Sequence, residues 1–168
     1  FILLKHGNGS ANLGDLLDGK DALILGVFTA GSPAADLQME DFLEVQDALG
    51  DSVAFAQLIT GEGVEIYDGD GHAAKLNGSW PLMIDERDGA IAQQLPTGIG
   101  EGVIIIDSAG FIVDWHTSTM NPIDIKKAVE TAEAGGGRTP FEFLQMSSIL
   151  LFLPLLLLGL PRERIDAP

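Results

Sequence analysis

The 168-residue chain contains no cysteine, and only 9 Lys and Arg against 25 Asp and Glu. Without a thiol it can form no disulfide framework, thiol nucleophile, Cys-ligated zinc or Cys-held iron–sulfur cluster. The shortage of base disfavours a nucleic-acid partner, because phosphate contacts need a basic face. Yet the mean hydropathy is positive, +0.24, despite a formal net charge of −16. The two properties sit apart. Residues 1–137 hold 22 acids and 6 bases, which is the whole net charge, while residues 138–168 hold three of each. The first stretch suits one domain with a single core, and the remainder is too short for a second.

Residues 143–161 carry no charge, and Ile149, Leu150, Leu151, Phe152, Leu153, Pro154, Leu155, Leu156, Leu157 and Leu158 are almost entirely apolar. At about 1.5 Å per residue a helix of this stretch spans roughly 28 Å, against about 30 Å of bilayer hydrocarbon. Pro154 should kink it, which membrane helices tolerate better than soluble ones. A soluble core helix would keep a polar stripe, and none is present from Ile149 onward. The pattern predicts a single transmembrane helix in contact with lipid, with a lipid-facing or partner-buried hairpin as the alternative. Arg162 and Arg164 follow it at once whereas Arg138 stands alone before it, so the positive-inside rule puts the C-terminus in the cytoplasm. The acidic domain is then expected on the periplasmic or extracellular side. The first residue is Phe1 rather than Met, which fits a removed signal peptide or an earlier span.

Within the acidic part, Ala22 to Phe28 is a continuous apolar run of the kind buried on both faces of a sheet. Ser32 and Pro33 then form an N-cap and N1 pair that starts a helix. Leu37, Phe42, Leu43 and Leu49 supply its expected inner face, and Gly50 stops it. Val53 to Ile59 reads as the next strand, giving β-α-β with a right-handed crossover. Residues 60–78 read as loop with a short helix near Ala73 to Leu76, Trp80 to Asp85 as a short strand, and Gly89 to Leu95 as a short helix. Val103 to Asp107 and Phe111 to His116, joined by Ser108, Ala109 and Gly110, form an antiparallel hairpin. Asn121 and Pro122 repeat the capping device before a last helix, Ile123 to Ala134, closed by Gly135, Gly136 and Gly137. The expected organisation is a domain over 1–134, a glycine-rich linker over 135–142, the span over 143–161 and a short tail over 162–168.

The order β-α-β, connection, β-β-α resembles the thioredoxin-like fold, and the likeness extends to residues. The segment LGDLLDGKDALILGVFTAGSPAADLQMEDFLEVQDALGD is similar to the opening of membrane-tethered thiol-disulfide oxidoreductases and peroxiredoxin-related proteins. WPLMIDERDGAIAQQL resembles their next strand and helix, and GVIIIDSAGFIVDWH their hairpin. The likeness spans roughly residues 13–134. It implies a three-layer α/β/α domain with a central mixed sheet, here followed by the transmembrane helix.

The resemblance also implies where a redox site belongs. These families place a Cys-x-x-Cys or a single cysteine at the N-terminus of the long helix, where the macrodipole and free N–H groups lower the thiol pKa. The loop here contains Ser32, Pro33, Ala34 and Ala35, with Ser32 and Ala35 at the two cysteine positions. A one-residue shift would put Pro33 and Asp36 there instead. The cis-proline that faces the site in these families falls on Glu101. Replacement of cysteines by engineering would leave the same loop but would not account for the missing proline.

Ser32 is expected to be a helix cap rather than a nucleophile, because no local spacing brings His6, His72 or His116 beside it. Asp68, Asp70 and His72 superficially resemble a calcium loop, but the later acids of that pattern are missing, so a solvated turn is expected. Copper delivery by relatives of this fold needs sulfur and fails here. Trp80 and Trp115 are expected to be packed. No catalytic residue, metal or cofactor is assigned. The expected role is a redox-inactive structural or interaction module, an accessory subunit of a membrane complex. The competing expectation is a thiol enzyme whose cysteines were lost or are supplied by a partner or an N-terminal extension. The acidity itself would suit a cation, a basic partner, or solubility in a saline habitat.

Overall fold

The computed structural model describes residues 2–5, 9–61, 71, 74–75, 80–85, 92–95 and 100–135. Among them, seven strands form one mixed sheet. In chain order these are β1 (Ile2–Lys5), β2 (Ser10–Asn12), β3 (Ala22–Thr29), β4 (Val53–Thr60), β5 (Leu82–Ile84), β6 (Gly102–Asp107) and β7 (Ile112–His116). Their order across the sheet is β2-β1-β5-β4-β3-β6-β7. The helices are α1 (Leu13–Leu17), α2 (Pro33–Leu49) and α3 (Pro122–Glu133), with short 3-10 turns at Gly50–Ser52 and Ala92–Gln94.

β3 lies inside the sheet, between β4 and β6. It runs parallel to β4 from Ala22↔Val53 to Thr29↔Thr60 and antiparallel to β6 from Ala22↔Asp107 to Val27↔Gly102. Its two faces join two separate apolar clusters, because side chains alternate along a strand. Ala22, Ile24 and Phe28 meet Ala35, Met39, Phe42 and Val45 of α2 and Ile125, Ala128, Val129 and Ala132 of α3. Leu23, Leu25 and Val27 meet Leu17 of α1 and Leu95 on the opposite face. Phe42, Phe55 and Trp80 form an aromatic trio with ring centroids 5.7–5.9 Å apart. The expected three-layer α/β/α architecture is therefore present.

Several sequence expectations need correction. β1, β2 and α1 were not anticipated; α1 is short and opens with a capping box between Asn12 and Asp15. Leu37 and Leu43 do not face the core but are 60% and 38% exposed. The buried stripe of α2 is Ala35, Gln38, Met39, Phe42 and Val45, so a polar residue holds a place that counting apolar residues assigns elsewhere. Trp80 is buried as expected, but Trp115 is 43% exposed, on β7, which is the outermost strand among the described residues. Of the helix expected over Gly89 to Leu95, the described part is the 3-10 turn. No helix of the described residues is long and apolar enough to cross a membrane, and residues 143–161 lie outside that set, as do residues 136–142 and 162–168.

Gln38 belongs to the core through its hydrogen bonds. Its Nε2 donates to the Met120 carbonyl at 2.9 Å, and its Oε1 accepts the Met120 N–H at 2.6 Å. One fully buried amide thus ties α2 to the segment that leads into α3. Removing it leaves a buried N–H and a buried carbonyl without partners. We expect Gln38→Ala to lower the unfolding free energy by about 2–4 kcal/mol in denaturant titrations, since each orphaned group costs about 1–3 kcal/mol.

The outer side of α2 is electrostatically unfavourable. Asp36, Glu40, Asp41, Glu44 and Asp47 share the helix with no Lys or Arg, and like charges three or four residues apart repel. Burial, with Glu44 and Glu40 adding like charge, pushes the Asp41 carboxyl above its ordinary 3.8. The folded state then holds that proton more tightly than the unfolded state. Stability is lost as pH rises from 3.8 through the raised folded value, and the ionised group is a liability at neutral pH. Asp41→Asn should therefore melt at a higher temperature than the wild type at pH 7, with the difference closing below pH 3.8, where both states are protonated.

Candidate functional site

The candidate site lies where β3 ends and α2 begins. The Ala30 N–H donates to the Thr60 carbonyl at 3.2 Å, which ties the loop to the end of β4, and the Ser32 N–H donates back to the Thr29 carbonyl at 3.0 Å. Gly31 between them has φ +75°, a conformation that costs a side-chain-bearing residue strain. Ser32 caps α2: its Oγ accepts the Ala34 N–H at 3.2 Å, and Pro33 follows at the first helical position. Ala35 is packed into the α2-side core. The cap assigned from sequence is the one observed, and the hydroxyl is engaged with the backbone.

Glu101, 69 positions later, returns to the same place. Its Oε1 accepts the Thr29 N–H at 3.2 Å, so the carboxylate sits on the strand end three residues before Ser32. The close passage of the chain there depends on Gly102, where a Cβ would lie 1.9 Å from the His116 carbonyl oxygen. This contact was not legible in sequence; only the position of Glu101 before the β6 run hinted at it. Its chemical consequence is clear. An anion beside the loop opposes formation of a second anion, so the position favours a neutral group at residue 32 over a thiolate.

Gly31, Ser32, Ala35, Asp36 and Ile59, with Gly71 and Lys75, line a depression of about 210 Å³. Lys75 Nζ donates to Asp36 Oδ2 across it, with both side chains about half exposed. His116 does not approach Ser32. It pairs with Val103, and Val103 with Gly26, which puts it two strand spacings, or about 10 Å, across the sheet from β3. His6, Asp68, Asp70 and His72 lie outside the described residues. Among the described residues no three His, Asp or Glu side chains converge as metal ligands would. The arrangement supplies a capped helix terminus, a pinned carboxylate and an ion pair, with no activated nucleophile among them.

A central mixed sheet with a β-α-β half, a β-β-α half and a loop at the start of the long helix defines the thioredoxin-like fold, and this chain has that fold. Solved structures with it include a secreted disulfide oxidoreductase of Mycobacterium tuberculosis homologous to E. coli DsbE, with 15% identity, TM-score 0.61, and coverage of 78% of this chain and 95% of that one. An exposed lipoprotein thioredoxin of Streptococcus pneumoniae shares 19% identity at TM-score 0.63, covering 77% and 97%. A thioredoxin-family thiol:disulfide interchange protein of Chlorobium tepidum shares 17% at 0.63, covering 79% and 92%. No family model and no curated protein sequence matches the chain. At these identities the likeness concerns the fold.

Two measurements follow from this geometry. Ser32→Ala should cost about 1 kcal/mol of stability through the lost cap. In a Ser32→Cys background, adding Glu101→Gln should make the introduced thiol titrate at lower pH, followed by thiolate absorbance. Identical titrations with and without the carboxylate would show that Glu101 does not set the electrostatics of the loop.

Proposed function

We propose that the chain is a thioredoxin-like domain without redox activity, tethered to a membrane through residues 143–161, that serves as a structural or protein-interaction module within a larger membrane complex. What carries this reading is the paired change at one end of the sheet. In the register that the resemblance implies, Ser32 and Ala35 take the cysteine positions and Glu101, whose carboxylate accepts the Thr29 N–H, takes that of the proline. Loss of a thiol alone would leave the rest of a redox site in place. Here the second half is also occupied, by a group whose charge works against thiolate chemistry. The named neighbours that are disulfide oxidoreductases supply the comparison, and the anchor is argued from the uncharged stretch over 143–161.

The acidic domain is placed outside the cytoplasm and the C-terminus inside, on the flanking arginines. Lipid contacts the span, and other subunits of the complex contact the domain. The expected outcome is that the full chain sediments with membranes, that deletion of 143–161 releases it, and that extraction in mild detergent co-purifies a defined membrane complex. Reduction of insulin disulfides or of a peroxide above the buffer rate, or a chain found entirely in the soluble fraction, would overturn the proposal.

A further inference from the structure

Leu37 and Ile123 stand in solvent at the neighbouring starts of two packed helices. Gln38 bonds the Met120 backbone, which fixes the first turns of α2 beside the segment that opens α3. Leu37 precedes Gln38 directly and is 60% exposed, and Ile123, in the first turn of α3, is 78% exposed. Their directions follow from the helical repeat of about 100° per residue. In α2, Ala35, Met39 and Phe42 mark the direction of the sheet, Gln38 turns from it toward α3, and Leu37 lies a further step round on the same side, facing out. In α3 the buried residues are Ile125, Ala128, Val129 and Ala132, and Ile123 projects from the opposite side of that helix. The two side chains share one outward surface, on either side of the line where α2 meets α3.

The rest of that surface on α2 is acidic. Asp41 and Glu44 continue the stripe begun by Leu37, and Glu40 lies beside them. Asp36 is paired with Lys75, whereas Glu40, Asp41, Glu44 and Asp47 have no basic partner among the described residues. On α3, Lys126 and Lys127 are outnumbered by Asp124, Glu130 and Glu133, so the sign is not reversed there. The charge also runs against the helix dipole, because the last turn of α2 holds Asp47 and no base at its negative end. None of these carboxylates belongs to the buried stripe of α2, so packing does not require them. The free domain keeps an exposed apolar pair beside unneutralised negative charge, and both costs fall when one apolar and cationic group covers them.

We propose that this α2–α3 surface docks a segment of a partner protein that carries apolar side chains flanked by Lys or Arg. The apolar groups cover Leu37 and Ile123, and the bases meet Glu40, Asp41 and Glu44. Charge complementarity selects this occupant. A neutral or acidic apolar segment would desolvate the carboxylates without pairing them. A polycation without apolar groups would leave Leu37 and Ile123 in water. A second copy of this chain would set one acidic α2 against another, a like-charge contact that selects against self-association. This partner chemistry rests on the reading of the domain as an interaction module, but it uses neither the Ser32 loop nor the membrane span.

The probe is acetyl-Lys-Leu-Lys-Lys-Leu-Lys-amide, titrated into isotopically labelled full chain in non-ionic detergent and followed by NMR. Saturable shifts of the Leu37 and Ile123 methyl groups are expected, with a Kd of about 1 mM for so small a ligand. The charge-matched acetyl-Lys-Ser-Lys-Lys-Ser-Lys-amide should bind about tenfold more weakly. The double substitution Leu37→Ser and Ile123→Ser should weaken the leucine peptide by about the same factor. Glu40→Gln with Glu44→Gln should weaken both peptides and flatten the salt dependence. All four side chains are exposed, so these variants keep the fold. The titration reads this face whether or not the chain reaches a membrane or acts on disulfides, so its failure is distinct from failure of the tethered, redox-inactive reading. No saturable shift, equal binding of the serine peptide, equal binding by the serine variant, or shifts centred on the Ser32 loop would each refute the docking surface.

Discussion

A strand buried on both faces and paired along both edges leaves the rest of this chain few choices. All of β3 from Ala22 to Phe28 is buried, and apolar side chains alternate between two clusters, each worth about 1.5–3 kcal/mol per large residue relative to exposure. Two faces require two covers, hence α2 and α3 on one side and α1 with the Ala92–Gln94 turn on the other. Parallel pairing with β4 requires a crossover, which α2 provides. Antiparallel pairing with β6 brings the second half of the domain back beside the first. The location of the candidate site follows as well, since the end of a central strand and the start of its crossover helix must meet there.

The contents of that site are far less constrained. Ser32 and Glu101 belong to neither apolar cluster, and their bonds reach backbone N–H groups at the rim. Such groups can change without disturbing the core, whereas Ala35 is held by packing against it. This separation fits a fold shared at 15–19% identity with the three solved structures named above. It also explains why serine is stable here: the oxygen of a hydroxyl accepts a helix N–H without needing a charge, and the nearby carboxylate makes that neutrality an advantage.

Runs of consecutive apolar residues made β3, β4 and the β6–β7 hairpin legible, and the Ser-Pro and Asn-Pro pairs located the starts of α2 and α3. Packing faces were less legible. Leu37 and Leu43 lie outside while Gln38 lies inside, because the Met120 backbone, 82 positions away, satisfies its amide. A signal existed in the spacing of Ala35, Gln38, Met39 and Phe42, but hydrophobicity alone hides a polar member of a buried stripe. β1 and β2 were missed because strands of four and three residues give too few alternations to read. Of the Glu101–Thr29 contact only the place of Glu101 near the loop was legible, since no local pattern announces a bond between a strand end and a carboxylate 72 residues on.

The outer strands of the sheet show how this fold protects its edges. Unpaired strand edges invite another chain, and proteins blunt them with charge, bulges or short strands. β7 carries a register shift opposite Ile105 and Ile106, and Asp114 Oδ1 takes the Trp115 N–H at 2.8 Å. β2, at the other border, has only three residues. Inside the sheet, the β4–β5 rung that would follow the Phe55 carbonyl falls on Pro81, which has no N–H to donate. Proline at that point withholds a hydrogen bond that the parallel register otherwise supplies, a local loss of stability in a domain already burdened by its own negative charge.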